Sequence, residues 1–359
     1  MAARKQLAAE IAKRATGERA PADPRLTFNR AADAWYDEHV TANLRPASQS
    51  AARTSLNHLR AAFGSRRLTA IEPRDVARFV RDRKAAGAAD NSVRANVHAL
   101  SGIFRFASRH LGYPGANPCA VLDRRERPTT DPVNETRALT SDEIAALTTA
   151  TLPADALLVE LALATGMRMS EILGLAWGDL ELGDAPAITV SGQLGRYGEA
   201  RGERVAVKSK RGRRRVVITR DLARKLAAAK LLAARSSDDD YVFASRVGVP
   251  RTQGTQGRRF TQAVAHAGID DAVTFHYLRH THGSQLIAAG WDVAQVAARL
   301  GDSIQTVMTT YAHEFDAQRR EAEQREQLAA LASMAAPMAA RGDTTRALRA
   351  IPEAAETAV

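Results

Sequence analysis

A stretch with neither helical nor strand periodicity divides this chain of 359 residues into two parts. It reads "NPCAVLDRRERPTTDPVNETRAL" and is rich in proline, threonine, asparagine and charge. Such a composition offers no continuous apolar face to bury, so it predicts a linker between domains. We place the linker at residues 118–137. The sequence on either side must then fold around a core of its own.

The part before the linker has apolar residues at helical spacing. In "LTFNRAADAWYDEHV" they are Phe28, Ala31, Ala32, Trp35 and Tyr36, and three further segments repeat the pattern. In the first of these, the residues predicted to face inward are Leu56, Leu59 and Phe63. The last of these, "NSVRANVHALSGIFRFASRHLGY", meets stop signals at Gly112 and Pro114. The pattern predicts an all-helical domain at residues 25–117, preceded by an arm or loose lead-in at residues 1–24.

The part after the linker combines helices with three short runs of β-branched residues. The runs are "AITV", "ERVAV" and "RRVVIT", and they predict a small antiparallel sheet. Because helical segments precede and follow them, the predicted fold class is mainly α with a small antiparallel sheet. We assign residues 138–318 to this second domain. Residues 319–359 are predicted to form a polar tail helix with an end that is disordered beyond about residue 336.

The charge balance favours a polyanionic partner. Lysine and arginine number 51 against 40 aspartate and glutamate residues, a formal net charge of +11. This favours nucleic acid first and an acidic membrane surface second, although a solvated basic surface gives the same balance. The single cysteine, Cys119, excludes a disulfide or a cysteine zinc site within one chain. No signal peptide and no membrane span is recognisable, so a cytoplasmic protein is expected.

The most unusual stretch is "TFHYLRHTHGS", which begins at residue 274. His276, Arg279 and His280 stand at i, i+3 and i+4 and therefore share one helix face. A metal site would need a third strong ligand, and Arg279 on the same face would repel a dication. From this stretch alone, a structural histidine pair and a bound phosphate are both open interpretations.

Two other stretches place charge at informative positions. In "LALATGMRMSEILGLAWGDL", Gly166 indicates a sharp entry to a helix that carries Arg168 and Glu171 at i, i+3. This pair forms either an ordinary helix salt bridge or a brace for an arginine fork. The segment "RGERVAVKSKRGRRRVV" carries eight positive residues and one negative residue between positions 201 and 215. It reads as a basic β-hairpin, which either lies along a phosphate backbone or is simply solvated.

A fourth stretch, "AARLGDSIQTVMTTYAHEF", contains a tyrosine at the end of a short predicted helix. This residue is Tyr311, and alone it reads as an ordinary half-buried side chain. With "WDVAQV" before it, the stretch also fits a helix-turn-helix, which would suit a non-enzymatic DNA-binding regulator.

Taken in order, the four stretches resemble tyrosine recombinases of the phage integrase family. An arginine in "ATGMRMSEILGLAW", a hairpin lysine, "HYLRHT" and a tyrosine after "LGD" follow the family's order of motifs. The helical domain is also similar to the family's core-binding (SAM-like) domain, and the second domain to its catalytic domain. The resemblance implies a site-specific DNA recombinase, most simply the integrase of a mobile element. A Xer-type chromosome-dimer resolvase and a type IB topoisomerase are the alternatives that share its catalytic set.

The resemblance implies a role for each matching residue. Arg168 and Arg279 would clamp the non-bridging oxygens of the scissile phosphate, and Tyr311 would attack phosphorus. His276 would assist proton transfer or hold the phosphate. The other assignments are Lys208 as general acid with Lys210 as a weaker candidate, Glu171 and His280 as supporting residues, and Lys210, Arg211, Arg213 and Arg214 as DNA contacts.

One position departs from the family pattern. Asp302 follows "LG" where the family usually has histidine or tryptophan. An aspartate is able to accept a hydrogen bond from the tyrosine hydroxyl or to cap the next helix, but when ionised it cannot donate to a phosphoryl oxygen. Asp302 is therefore a candidate catalytic residue and equally a candidate helix cap.

The implied chemistry needs neither metal nor cofactor. Tyrosine has a reference pKa near 10, and cationic neighbours are expected to lower the pKa of Tyr311. Its attack would leave a 3′-phosphotyrosine and a free 5′-hydroxyl, so rejoining needs no ATP. The implied partners are double-stranded DNA, further protomers in a homotetramer, and an accessory excisionase or DNA-bending protein. In such a tetramer the tail helix would dock on a neighbouring protomer.

Overall fold

The computed structural model describes residues 23, 25–128, 137–198, 201–207, 210–245 and 247–339. The chain divides into a first unit, Met1–Thr136 with Arg196–Arg201, and a second unit, Arg137–Gly195 with Gly202–Val359. Apart from Asp23, the predicted arm or lead-in at residues 1–24 lies outside the described residues, as does the segment 129–136 of the predicted linker.

The described part of the first unit is built from helices whose beginnings are fixed locally. Proline occupies the first position of two of them, where its missing N–H has no helical partner to lose. The helices are α1 (Phe28–Ala34), continued by a π-helical segment (Trp35–Val40) and a last turn (Thr41–Asn43), α2 (Pro46–Phe63), α3 (Pro73–Ala85) and α4 (Asp90–His110).

Pairs of aromatic side chains pack against each other in the core of the first unit. Ring centroids lie 5.9 Å apart for Phe28 and Phe63, 5.5 Å for Phe63 and Phe79, and 5.4 Å for Phe104 and Tyr113. The apolar positions read from the sequence as inward-facing are buried, so that prediction is confirmed for Phe28, Ala31, Ala32, Trp35, Tyr36, Leu56, Leu59 and Phe63.

The second unit combines helices with two small antiparallel sheets. Its helices are α5 (Ser141–Ala150), α6 (Pro153–Thr165), α7 (Met169–Leu173), α8 (Arg220–Leu232), α9 (Gln253–His266), α10 (His276–Ala288), α11 (Val293–Leu300), α12 (Ile304–Thr310) and α13 (Ala312–Ala339). Its strands are β1 (Leu180–Glu181), β2 (Ala187–Val190), β3 (Gly192–Leu194), β4 (Arg204–Ala206) and β5 (Arg214–Val217).

The three predicted β-branched runs are divided between the two sheets. Strand β2 pairs with β1 on one side and with β5 on the other, with Ile188 opposite Val216. Strand β4 pairs instead with β3, in a separate two-stranded ribbon. The predicted fold class, mainly α with small antiparallel structure, is confirmed, while the expectation of a single sheet is wrong.

Helix α10 runs through the interior of the second unit and packs against α6. Six consecutive residues of α10, from Leu278 to Gly283, are buried. An arginine and two histidines fall within that stretch, so each needs a polar partner inside the protein. This placement makes α10 the element around which the functional side chains gather.

A small apolar cluster, separate from the main core, supports α11 and α12. Its buried members are Ile287, Val296, Ala297, Leu300, Val307 and Tyr311. Val307 is the only residue within α12 that is buried, whereas Ile304 and Met308 are 54% and 46% exposed. Few apolar contacts therefore hold α12 in place.

Helix α13 follows directly after Tyr311. Its middle carries exposed apolar side chains, including Leu328 and Leu331. The helix continues to Ala339, although disorder was expected beyond about residue 336, and residues 340–359 lie outside the described part. None of the helices in the described ranges is long and apolar enough to cross a membrane.

Leu161→Ala should destabilise the second unit by about 2–5 kcal/mol, because the fully buried leucine leaves a cavity in a packed core. Denaturant unfolding followed by circular dichroism measures the loss. Leu232→Ala removes the same atoms from a side chain that is 88% exposed, so it should leave the midpoint unchanged. Equal effects of the two substitutions would contradict the assigned core.

Candidate active site

The first candidate arginine lies at a sharp turn between α6 and α7. Gly166 ends α6 with φ +64°, a left-handed conformation that favours glycine. A Cβ added there would lie 2.6 Å from Leu300 Cδ2, so glycine is also required by packing. Arg168 then caps α7, and its backbone N–H donates to Glu171 Oε2 at 3.0 Å. The predicted sharp entry to this helix is confirmed.

The second candidate arginine is held inside the protein by two backbone carbonyls. Arg279 is 3% exposed, and its guanidinium donates to the Gly166 carbonyl at 2.7 Å and to the Leu300 carbonyl at 2.8 Å. These two carbonyls come from the ends of α6 and α11. The fold therefore fixes the Arg279 fork before any ligand binds, as a buried guanidinium requires.

A carboxylate joins the two arginines. Asp302 accepts a hydrogen bond from Arg168 through Oδ1 and one from Arg279 through Oδ2, the latter at 2.6 Å. Burial would raise the pKa of Asp302, but the guanidinium groups of Arg279 and Arg168 outweigh it and hold that pKa below its usual range. The carboxylate is therefore ionised at neutral pH. Ser303, and not Asp302, caps α12, by accepting from Thr306 N at 3.0 Å.

A second carboxylate, that of Glu171, also forms an ion pair with Arg168. Glu171 is 2% exposed and accepts from Arg168 Nη1 at 2.9 Å. It also accepts two hydrogen bonds from Arg214, the shorter at 2.9 Å. Burial raises the pKa of Glu171, yet the hydrogen bonds and charge of Arg214 outweigh burial and lower it. The predicted pairing of Glu171 with Arg168 is confirmed.

The structure departs from the prediction at Arg214, which the sequence grouped with the DNA contacts. This arginine is buried, and besides Glu171 it donates to the carbonyls of Arg299 at 2.9 Å and Gly212 at 3.2 Å. All three guanidinium nitrogens of Arg214 donate to protein acceptors, so this residue supports the site from inside and is not placed to bind a phosphate. The reason is the strand period of β5, which turns Arg214 inward and Arg215 outward.

The rest of the basic segment is more open. Arg211 and Arg213 are exposed, and Lys210 begins a single 3-10 turn, Lys210–Gly212. The proposed general acid, Lys208, lies outside the described residues. Its role therefore stays a prediction.

His276 and His280, which share one face of α10, lie in different environments. His276 is exposed at the start of α10, and partial desolvation with the charges of Arg279 and Arg168 lowers its pKa. His280 is buried one turn later, with its ring centroid 4.7 Å from that of Tyr311. Burial lowers the pKa of His280 as well. Both rings are therefore mainly neutral at neutral pH, and His276 is the one that a substrate can reach.

The candidate nucleophile is packed inward. Tyr311 is 4% exposed at the end of α12, and a Cβ added to Gly283 would lie 2.4 Å from its hydroxyl oxygen. Burial raises the pKa of Tyr311 to about 12, because the opposing charge of Arg279 is too weak to compensate. The expectation that cationic neighbours lower this pKa is wrong for this conformation, in which the phenol is protonated.

Sequence reasoning missed two residues that support the site. Arg299 donates to the carbonyls of Val217 at 2.6 Å and Ala164 at 3.0 Å, and its Nε lies 3.3 Å from His282 Nε2. It thereby ties α11 to β5 and to α6. Burial, assisted by the charge of Arg299, lowers the pKa of His282 to about 4. His282, the last residue of "HYLRHTH", was visible in the sequence as a third histidine. Its partner Arg299 is 17 residues away, so the pairing was not.

The geometry defines an anion site. Two guanidinium groups from different elements converge on one pair of carboxylate oxygens, with a neutral histidine beside them and a tyrosine behind. Paired guanidinium groups stabilise negative charge that builds on phosphoryl oxygens. Within the described ranges, no group of three or more histidine, cysteine, aspartate or glutamate side chains is arranged to hold a metal ion.

Comparison with known proteins gives the family. Residues 137–318 match the model of the phage integrase family, which is half of the chain. The chain therefore belongs to the phage integrase family of tyrosine recombinases. It is an enzyme of the class that cleaves and rejoins DNA, and the interpretation as a non-enzymatic regulator is set aside.

Individual relatives agree with this assignment. Tyrosine recombinase XerC of Xanthomonas campestris pv. campestris is 25% identical over 257 residues, covering 70% of this chain and 73% of the relative. Transposase A from transposon Tn554 of Staphylococcus aureus is 42% identical over 84 residues, or 22% of this chain and 23% of that protein.

Solved structures share the fold at low identity. The Tn1549 transposon integrase in complex with transposon right end DNA has a TM-score of 0.71 and 19% identity, and the match covers 83% of this chain and 99% of that one. A lambda integrase tetramer bound to a Holliday junction has a TM-score of 0.63 and 20% identity, covering 79% of each chain.

Glu171→Gln should destabilise the second unit by about 3–5 kcal/mol, since it leaves the buried Arg214 charge without an anion. Thermal or denaturant unfolding measures this. Because the folded pKa of Glu171 is lowered, its contribution is present above the unfolded pKa and is lost as pH falls through the folded pKa. The gap between variant and wild type should therefore close in acid.

Glu181→Gln is the matched control for Glu171→Gln. Glu181 is exposed and pairs with the exposed Arg215 at 2.6 Å, so neutralising it should leave the unfolding midpoint nearly unchanged. A loss as large as that of Glu171→Gln would show that charge removal in general, and not burial, sets the effect.

Tyr311 should stay protonated where ordinary tyrosines ionise, near pH 10. Phenolate absorbance of the wild type and of Tyr311→Phe should therefore rise by the same amount through that range. Gly283→Ala should push the phenol out of its pocket, so that one more tyrosine titrates near pH 10. If Tyr311→Phe lowered the number of tyrosines titrating there in an otherwise wild-type chain, the buried placement would be contradicted.

Proposed function

We propose that this recombinase integrates and excises a mobile DNA element, through a 3′-phosphotyrosine intermediate on Tyr311. The observation that carries the proposal is the pair of guanidinium groups that share one anion beside a tyrosine. The stretch similar to Transposase A from transposon Tn554 and the fold similarity to the Tn1549 transposon integrase support a mobile element as the source.

In the proposed reaction, Arg168 and Arg279 hold the two non-bridging oxygens of the scissile phosphate. Their forks are fixed by Glu171 and by two backbone carbonyls, so little reorganisation is needed when negative charge builds in the transition state. His276 is mainly neutral at neutral pH and is therefore able to accept the phenol proton.

The proposed bond changes balance without a cofactor. The phenol oxygen of Tyr311 forms a bond to phosphorus, and the bond from phosphorus to the 5′-oxygen breaks. Lys208 donates the proton that the departing 5′-oxygen needs, with Lys210 as the weaker candidate for this role. Attack by a 5′-hydroxyl on the phosphotyrosine reverses these steps and joins a new strand.

We assign the parts of the chain to parts of the task. The core-binding domain at residues 25–117 grips duplex DNA, the linker at 118–137 connects it to the catalytic domain at 138–318, and the tail helix of 319–359 contacts a neighbouring protomer. Exposed Arg211 and Arg213 contact phosphates. The lambda integrase tetramer on a Holliday junction supports a homotetramer as the working assembly. We place this activity in the cytoplasm, with an excisionase or DNA-bending protein as accessory partner.

A Xer-type resolvase is the second candidate, favoured by the similarity to XerC over 70% of this chain. The two functions differ in where the binding site lies. Sequencing the genomic DNA that the protein covalently captures distinguishes them. Capture at the two ends of one element supports integration, and capture at a single chromosomal site outside any element supports resolution.

The class of reaction is tested with a nicked suicide duplex that carries a site selected by the protein from a randomised pool. Wild type should form an adduct that survives denaturing electrophoresis. Tyr311→Phe should bind the duplex and form none, and Arg168→Ala or Arg279→Ala should slow adduct formation by at least about a hundredfold. Tyr241→Phe, which removes a hydroxyl elsewhere in the second unit, should form the adduct normally. An adduct in Tyr311→Phe would overturn the assignment of the nucleophile.

A further inference from the structure

The carboxylate of Asp302 occupies the place that a phosphate would take between the two arginines. One of its oxygens accepts from Arg168 and the other from Arg279, which is how two non-bridging phosphoryl oxygens would be shared. The side chain of Asp302 is 19% exposed, whereas that of Arg279 is 4% exposed. An anion arriving from solvent therefore meets Asp302 before it meets the deeper arginine.

Asp302 and a bound phosphate cannot easily share this site. Both carry negative charge, and a phosphate held between Arg168 and Arg279 would compete with Asp302 for N–H groups of the same two guanidinium forks. The remaining hydrogen bonds of these forks go to Glu171 and to the carbonyls of Gly166 and Leu300, which are held in place by the fold. Two anions at hydrogen-bond distance from one another repel strongly in a half-buried site. Phosphate binding therefore requires Asp302 to leave.

The turn that carries Asp302 is joined directly to the nucleophile. Asp302 lies between the end of α11 at Leu300 and the cap of α12 at Ser303, and Tyr311 directly follows the last residue of α12. Within α12, Val307 alone is buried. Segments with few buried apolar contacts open at low free-energy cost. The two ion pairs of Asp302 are thus among the contacts that hold the α11–α12 turn in its observed position.

We propose that Asp302 is a phosphate-displaceable latch, which fills the anion site in the absence of DNA and keeps α12 and the Tyr311 phenol in their packed position until a DNA phosphate takes its place. The proposal rests on the proposed function, because it takes Arg168 and Arg279 to be the phosphate clamp. It makes Asp302 a positioning residue that couples occupancy of the clamp to release of the nucleophile. Free protein then holds a protonated phenol and an occupied arginine pair.

The test uses the full chain with inorganic sulfate, an unreactive tetrahedral anion, as the probe. In wild type, sulfate should increase amide hydrogen exchange across residues 303–311 by displacing Asp302. In Asp302→Asn the exchange should already be high without sulfate. Sulfate affinity, measured by calorimetry, should rise at least about tenfold in Asp302→Asn, because no internal anion competes. Asp221→Asn removes the same charge from an exposed side chain in the first turn of α8 and should match wild type in both measurements.

The possible outcomes distinguish failure of the latch proposal from failure of the proposed function. If sulfate leaves exchange at 303–311 unchanged or lowers it in wild type, the latch is overturned, and this arm needs no substitution. Equal sulfate affinity in wild type and a folded Asp302→Asn also overturns it. Either result leaves the proposed function standing when wild type still forms the suicide-duplex adduct. If wild type formed no adduct but still showed both sulfate responses, the proposed function would be overturned instead.

Discussion

The site depends on neutralising buried positive charge. Arg214, Glu171, Arg168, Asp302 and Arg279 form a continuous row of ion pairs that links β5, α7, α10 and the turn between α11 and α12. Three cations alternate with two anions, and removing either anion would leave a guanidinium uncompensated in a desolvated place. The row carries one excess positive charge.

Backbone geometry supports the same row. The carbonyls of Gly166 and Leu300 both accept from Arg279, although they end two different helices. The end of each helix leaves carbonyls without helical partners, and here one guanidinium satisfies one from each. Helix ends thus serve as ligands for the arginine, while the arginine ties the helix ends together. The fold and the site are stabilised by the same hydrogen bonds.

The sequence predicts the local parts of this arrangement better than the distant ones. The pairing of Arg168 with Glu171 follows from their i, i+3 spacing, and the helical character of α10 follows from its motif. The contact of Arg168 with Asp302 joins residues 134 apart, and that of Arg214 with Glu171 joins residues 43 apart. No periodicity encodes such contacts, because tertiary packing alone brings the partners together. For this reason the sequence grouped Arg214 with the DNA contacts, and for Asp302 helix capping was as strong a prediction as a role in the site.

The substitution of aspartate for the family's usual histidine or tryptophan changes the balance of the site in free protein. A donor at that position would add a hydrogen bond to phosphate but would leave no carboxylate between Arg168 and Arg279. Among the described residues, Asp302 is the only acidic side chain that forms an ion pair with Arg279. Aspartate gives up that donor and supplies the counterion instead. The buried Tyr311, whose pKa burial raises to about 12, fits the same balance, because a phenolate next to Asp302 would add a second negative charge. Aspartate at this turn and a protonated tyrosine at the end of the next helix therefore belong to one charge balance: the aspartate is the anion that both arginines share, and the neutral phenol adds no second anion near it.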